Sequence, residues 1–100
     1  MRLLIVIVNY QTADLLIDCL RSLAPQITDG MSVVVTDNKS AGDSVARISA
    51  AIDANHWNWC TLMPLDRNGG FAFGNNAAIR PVLAIERREA VRQCRRRLAA

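Results

Sequence analysis

The sequence predicts an α/β fold built on a mostly parallel sheet. Three observations predict it. Leu3–Val8 and Met31–Thr36 are continuous, β-branched apolar runs, as strands buried on both faces require. The segments between the strand-like runs repeat their apolar residues at helical spacing. The resulting order is strand, helix, strand, helix, strand, helix, which calls for right-handed βαβ crossovers.

The first strand, Leu3–Val8, is broken by Asn9-Tyr10-Gln11. Its apolar stretch is short for a signal peptide and no small-residue cleavage site follows. Thr12 is the expected N-cap of the first helix, and Asp14 suits the positive end of the helix dipole. Leu15, Leu16, Cys19, Leu20 and Leu23 form its apolar face, and Pro25 stops it. Asp29-Gly30 turns into the second strand, Met31–Thr36, and a polar loop of residues 37–42 follows. Val45, Ile48 and Ile52 mark one face of a second helix. Residues 57–63 read as a third strand, and residues 64–70 as a loop. A helix is expected to begin between Gly70 and Gly74 and to carry Ala77, Ala78 and Ile79. Pro81 either starts a new helix, over residues 82–98, or kinks this one.

One hundred residues make room for a single small core. Hydrophobic residues at 51% and charged residues at 21% are ordinary globular usage, which argues against disorder. No apolar run approaches the roughly 20 residues of a membrane span, so the expected location is cytoplasmic, with a place at the inner membrane face through a partner. Cys19, Cys60 and Cys94 are widely spaced and odd in number. That pattern fits neither zinc nor a disulfide scaffold, and they are expected to be reduced, partly buried small hydrophobes. His56 reads as a partly buried histidine at a helix end.

The net charge of +3 is unevenly placed. Residues 1–79 carry five basic and seven acidic side chains, whereas residues 80–100 carry seven arginines against Glu86 and Glu89. The basic character belongs to the tail. That tail lacks aromatic residues for base stacking, which argues against nucleic acid. A solvated helix face is its plainest reading. A frame change or premature end, or contact with polyanions, are the alternatives.

Ligands of open α/β sheets sit beyond the carboxyl ends of the strands. Three loops lie there: residues 9–12, 37–42 and 65–74. Asp37 ends the second strand, where an acid accepts hydrogen bonds from a ribose hydroxyl or a base N–H, or caps a turn. The third loop, Arg67-Asn68-Gly69-Gly70-Phe71-Ala72-Phe73-Gly74-Asn75-Asn76, is the most unusual. Its glycines permit positive φ and close backbone approach, the helix start offers free N–H groups to an anion, and Arg67 suits a phosphate. The plainer alternative is a glycine-rich turn that packs Phe71 and Phe73. Neither a P-loop nor a dinucleotide fingerprint is present, and no nucleophile elbow occurs.

Taken together, three segments resemble family-2 glycosyltransferases of the rhamnosyltransferase-like branch, which is associated with cell-envelope polysaccharide. They are Ile5-Val6-Ile7-Val8-Asn9-Tyr10 with the following helix, Val33-Val34-Val35-Thr36-Asp37-Asn38-Lys39-Ser40, and residues 67–80. The resemblance covers about residues 2–83. It implies a Rossmann-like, three-layer GT-A fold and a nucleotide-diphosphate-sugar donor. It also implies inverting transfer to a hydroxyl of a glycan or lipid-linked acceptor. By position it implies that Asn9, Tyr10 and Asp37 line the nucleoside pocket. Arg67, Gly70, Asn75 and Asn76 would then border the ribose and diphosphate.

The family continues with a D-x-D-like metal motif and a later general base, and this sequence has neither. A divalent metal, Mg or Mn, is therefore expected of the full-length family while its ligands are absent here, and no catalytic or metal-binding residue is assigned. Residues 1–84 are read as the nucleotide-sugar-binding amino-terminal part of the domain, truncated. Residues 85–100 are read as an arginine-rich helical tail. The chain alone is expected to be inactive and to self-associate through its exposed first strand. The rival reading is a non-enzymatic interaction module that binds polyanions through the tail; a decayed gene product is the third.

Overall fold

The computed structural model describes residues 3–99, with side chains described through residue 85 and at 87, 88 and 92. The chain runs β1 (Leu3–Asn9), α1 (Ala13–Leu23), a 3₁₀ turn (Ala24–Gln26), β2 (Met31–Asp37), α2 (Ser44–Ala54), β3 (Cys60–Pro64) and α3 (Phe71–Ala99). The three strands form one parallel sheet in the order β1-β2-β3. The α/β class and the parallel sheet are as the sequence predicts.

Side chains alternate between the faces of a strand, and that alternation sorts the layers. Ile5 and Ile7 pair in register with Val33 and Val35, and these in turn with Cys60 and Leu62. This face packs against Leu16 and Leu20 of α1 and Ile48 of α2. Leu20, Ile48, Val33 and Val35 are completely buried, each contributing about 1.5–3 kcal/mol by leaving water. Val8 and Thr36 point to the opposite face, where α3 lies. A Cβ on Gly74 would sit 2.8 Å from Val8 Cγ1 and 3.1 Å from Thr36 Oγ1. Only glycine lets α3 approach the sheet this closely. The result is three layers, with α1 and α2 on one face and α3 on the other.

Several local expectations are corrected. The third strand begins at Cys60, not at Trp57. Trp57 is buried, its ring 5.8 Å from that of Trp59, and it closes the bottom of the core ahead of the strand. His56 is exposed, with a φ of 54° in the turn that ends α2. Cys19 is exposed on α1, whereas Cys60 is buried, and burial pushes its thiol up to about 11. The side chain of Cys94 lies outside those described. Pro81 neither starts nor ends a helix but sits inside α3, which continues to Ala99. Pro81 faces solvent, so water can serve the carbonyl that loses its helical donor. Phe71 is also exposed, leaving Phe73 as the packed member of that pair.

Among the described residues β1 pairs with β2 alone, so its other edge has no strand partner. No described helix is long and apolar enough to cross a membrane.

Candidate functional site

The parallel register brings Asn9 and Asp37 side by side at the carboxyl ends of β1 and β2. Both are buried, Asp37 completely. A carboxylate without water requires donors, and the structure supplies three. Asn9 Nδ2 donates to Asp37 Oδ1 at 2.7 Å. The Ser40 hydroxyl donates to the same oxygen at 2.7 Å, and the Ser40 backbone N–H donates to Oδ2 at 2.8 Å. Three of the roughly four acceptor positions of a carboxylate are thus filled from within.

The network extends into the first loop. Ser40 Oγ accepts the Gln11 backbone N–H at 2.8 Å. Thr12, which occupies the N-cap position of α1, makes no side-chain cap. Its hydroxyl donates to Asn9 Oδ1 at 2.7 Å instead. Each end of the Asn9 amide is therefore committed, which fixes its orientation. The loops reach this arrangement through left-handed backbone at Gln11 (φ 56°) and Lys39 (φ 57°). Such conformations are uncommon outside glycine and mark a shaped loop.

The third loop is built around Gly70, whose φ is +91°. Its N–H donates to Asn68 Oδ1 at 3.0 Å. Its carbonyl accepts the Gly74 N–H at 3.1 Å, the first turn of α3. The same carbonyl accepts Asn38 Nδ2 at 3.0 Å. Asn38 also donates its backbone N–H to Asn9 O at 2.9 Å. Asn38 is therefore the residue at which all three loops meet. Thr36 Oγ1 and Asn38 Oδ1 are buried atoms without a hydrogen-bond partner.

The structure joins Asn9 directly to Asp37, and Asn38 links that pair to Gly70. Tyr10 is 46% exposed at the rim. The Arg67 guanidinium lies 4.2 Å from the centre of the Phe73 ring, a cation–π contact that holds it over the start of α3. Asn75 turns back into α3, its Nδ2 donating to Phe71 O at 3.1 Å. Asn76 lines a shallow cavity of about 270 Å³ with Phe73, Ala77 and Arg80.

Thr12, Asn38 and Ser40 belong to the site although no motif in the sequence marks them as ligand-facing. The signal for Ser40 was its place three residues after an acid that ends a strand, the spacing of an Asx-type turn. Among the described residues no group of three His, Cys, Asp or Glu side chains could hold a metal ion. The described residues thus do not fit the divalent metal that the resemblance implies.

No family model matches the chain, and no curated protein does. Among solved structures the chain is similar to the mannosyltransferase PcManGT from Pyrobaculum calidifontis, determined in complex with GDP-mannose and Mn²⁺. The TM-score is 0.71 at 22% identity, over 79% of this chain and 24% of that one. The chain therefore shares the Rossmann-like fold of one part of that enzyme and spans about a quarter of its length.

Proposed function

We propose that this chain is the nucleotide-binding part of a glycosyltransferase that takes a nucleotide-diphosphate sugar and transfers the sugar to a glycan or lipid-linked hydroxyl. The observation that carries this reading is the pinned group of Asn9, Asp37 and Ser40. It sits where an open parallel sheet receives ligands, with the Gly70 loop tied to it through Asn38. The similarity to an enzyme solved with GDP-mannose supports the same reading.

In this proposal Asp37 acts chiefly as the anchor. It holds Asn9 and Ser40 in a preorganised frame that meets the nucleoside, so little ordering is left for the moment of binding. Tyr10 covers the base from the rim. Arg67, held over Phe73, and the backbone around Gly70 meet the diphosphate, with Asn75 and Asn76 beside them. No metal ligand set is found among the described residues, so the step that expels the nucleoside diphosphate is not assigned to this chain. A family-2 relationship, a rhamnosyl donor and the use of a divalent ion by the enzyme belong to the same proposal.

A titration with GDP, UDP and dTDP, with and without manganese and read by amide NMR, tests it. Saturable shifts at Asn9, Asp37–Ser40 and Arg67–Asn76 are expected, with affinity independent of manganese. A dispersed spectrum that none of the three nucleotides perturbs would overturn the reading.

A further inference from the structure

We propose that Asn38 is a positioning residue that sets the third loop against the first two, so that nucleotide affinity depends on it without its touching the nucleotide. This rests on the nucleotide-binding reading above.

Asn38 is 3% exposed, yet only one end of its amide is satisfied. A buried acceptor without a partner is a net liability for stability, which a side chain of similar size and no polar atoms would remove. Stability of the fold therefore does not explain an asparagine here. What the amide does supply is a donor to Gly70 O.

That carbonyl is a pivot. It also accepts the Gly74 N–H and so directs the first turn of α3. Gly70 itself is in left-handed backbone, its N–H held only by Asn68 from within the same loop, and a Cβ added there would meet open space. The Asn38 amide is the tertiary hydrogen bond on this pivot. Through the bond from its own N–H to Asn9 O, it ties the pivot to the end of β1. The N–H groups of Phe71, Ala72 and Phe73 lack intrahelical acceptors by the geometry of a helix start. Their direction follows from the Gly70 peptide. Without the Asn38 donor, the frame around Asp37 stays intact but the third loop is no longer in register with it.

The test is Asn38→Leu, with three readouts on the whole chain. In the free protein, amide exchange at Gly74 is expected to quicken about five- to tenfold, the effect of one lost hydrogen bond, while Val33–Val35 stay unchanged. GDP affinity is expected to fall about tenfold. The urea midpoint is expected to hold or rise, a split that a purely structural role does not produce. A folded variant with unchanged Gly74 exchange and unchanged GDP affinity would overturn the inference. If the leucine variant fails to fold, Asn38→Ser, whose hydroxyl is too short to reach Gly70, decides by the same readouts. If the unsubstituted chain binds no GDP, the proposed function fails, and Gly74 exchange alone still decides whether Asn38 fixes the loop.

Discussion

Replacing Asp37 by asparagine changes one atom and removes the charge, and the structure says why that is not a mild change. Asp37 accepts at both oxygens: Asn9 Nδ2 and Ser40 Oγ at Oδ1, and the Ser40 N–H at Oδ2. An asparagine amide must present its NH₂ to one side. Placed at the Oδ2 position, it meets the Ser40 N–H, donor against donor. Turned round, it meets Asn9 Nδ2, which cannot itself flip without giving up the bond between Thr12 and Asn9 Oδ1. Either way one bond to a charged acceptor is lost, worth about 1.5–3 kcal/mol, and a buried donor is left unpaired. Asp37→Asn is therefore expected to cost about 3 kcal/mol. That is a large part of the roughly 5–15 kcal/mol that holds a domain of this size. With a urea slope of about 1.5 kcal/mol/M, the midpoint should fall by about 2 M. Ser40→Ala keeps the backbone bond to Oδ2 but loses the hydroxyl bond to the charged Oδ1 and the acceptor of the Gln11 N–H, and should cost about 2 kcal/mol. Urea unfolding followed by circular dichroism measures both. An Asp37→Asn midpoint within about 0.3 M of the unsubstituted chain would refute the claim that Asp37 anchors the loops.

Three further outcomes are expected. Gly74→Ala forces a Cβ to within 2.8 Å of Val8; overpacking of about 1–3 kcal/mol outweighs the gain of about 1 kcal/mol in helix propensity, so the thermal midpoint falls, and a rise would contradict the close approach of α3. Exposed Cys19 should react with a thiol reagent at pH 8 about a hundredfold faster than Cys60, whose thiol burial raises to about 11. Because that shift is upward, the stability Cys60 contributes is complete below about pH 9 and is lost as pH rises toward 11; equal labelling rates, read residue by residue by mass spectrometry, would contradict the burial. The edge of β1 that has no strand partner among the described residues carries seven residues without a charge or proline, a template for strand pairing, so the chain should self-associate at tens of micromolar in sedimentation, and a monodisperse monomer would contradict this.

What was legible in the sequence is what local pattern dictates. The β-branched runs gave β1 and β2 because strands buried on both faces have no polar alternation to obscure them. Once those runs are parallel and in register, Asn9 and Asp37 must meet. The start of β3 was misplaced because Trp57 and Trp59 carry strand propensity, yet tertiary packing uses Trp57 to close the core. From sequence alone Pro81 argues for a new helix or a kink, and its exposure in the fold makes the missing donor tolerable inside one continuous helix. Ser40 and Asn38 escaped as site residues because their bonds depend on left-handed backbone at Gln11, Lys39 and Gly70. Side-chain composition does not encode those angles for the two non-glycine residues. Thr12 was correctly placed at the helix start, but its hydroxyl serves Asn9 rather than the helix, a competition that only the folded loops decide.

Under the proposed function, the carboxyl ends of β1 and β2, with the Gly70 loop, receive a nucleoside diphosphate. Intermolecular nuclear Overhauser effects from bound GDP to the protein test it most directly. Contacts are expected from ribose and base protons to the Asn9 amide and the Tyr10 ring, and from the ribose to Gly70 Hα. Contacts confined to α3 beyond Pro81, or to the opposite end of the sheet at Trp57 and Cys60, would contradict it.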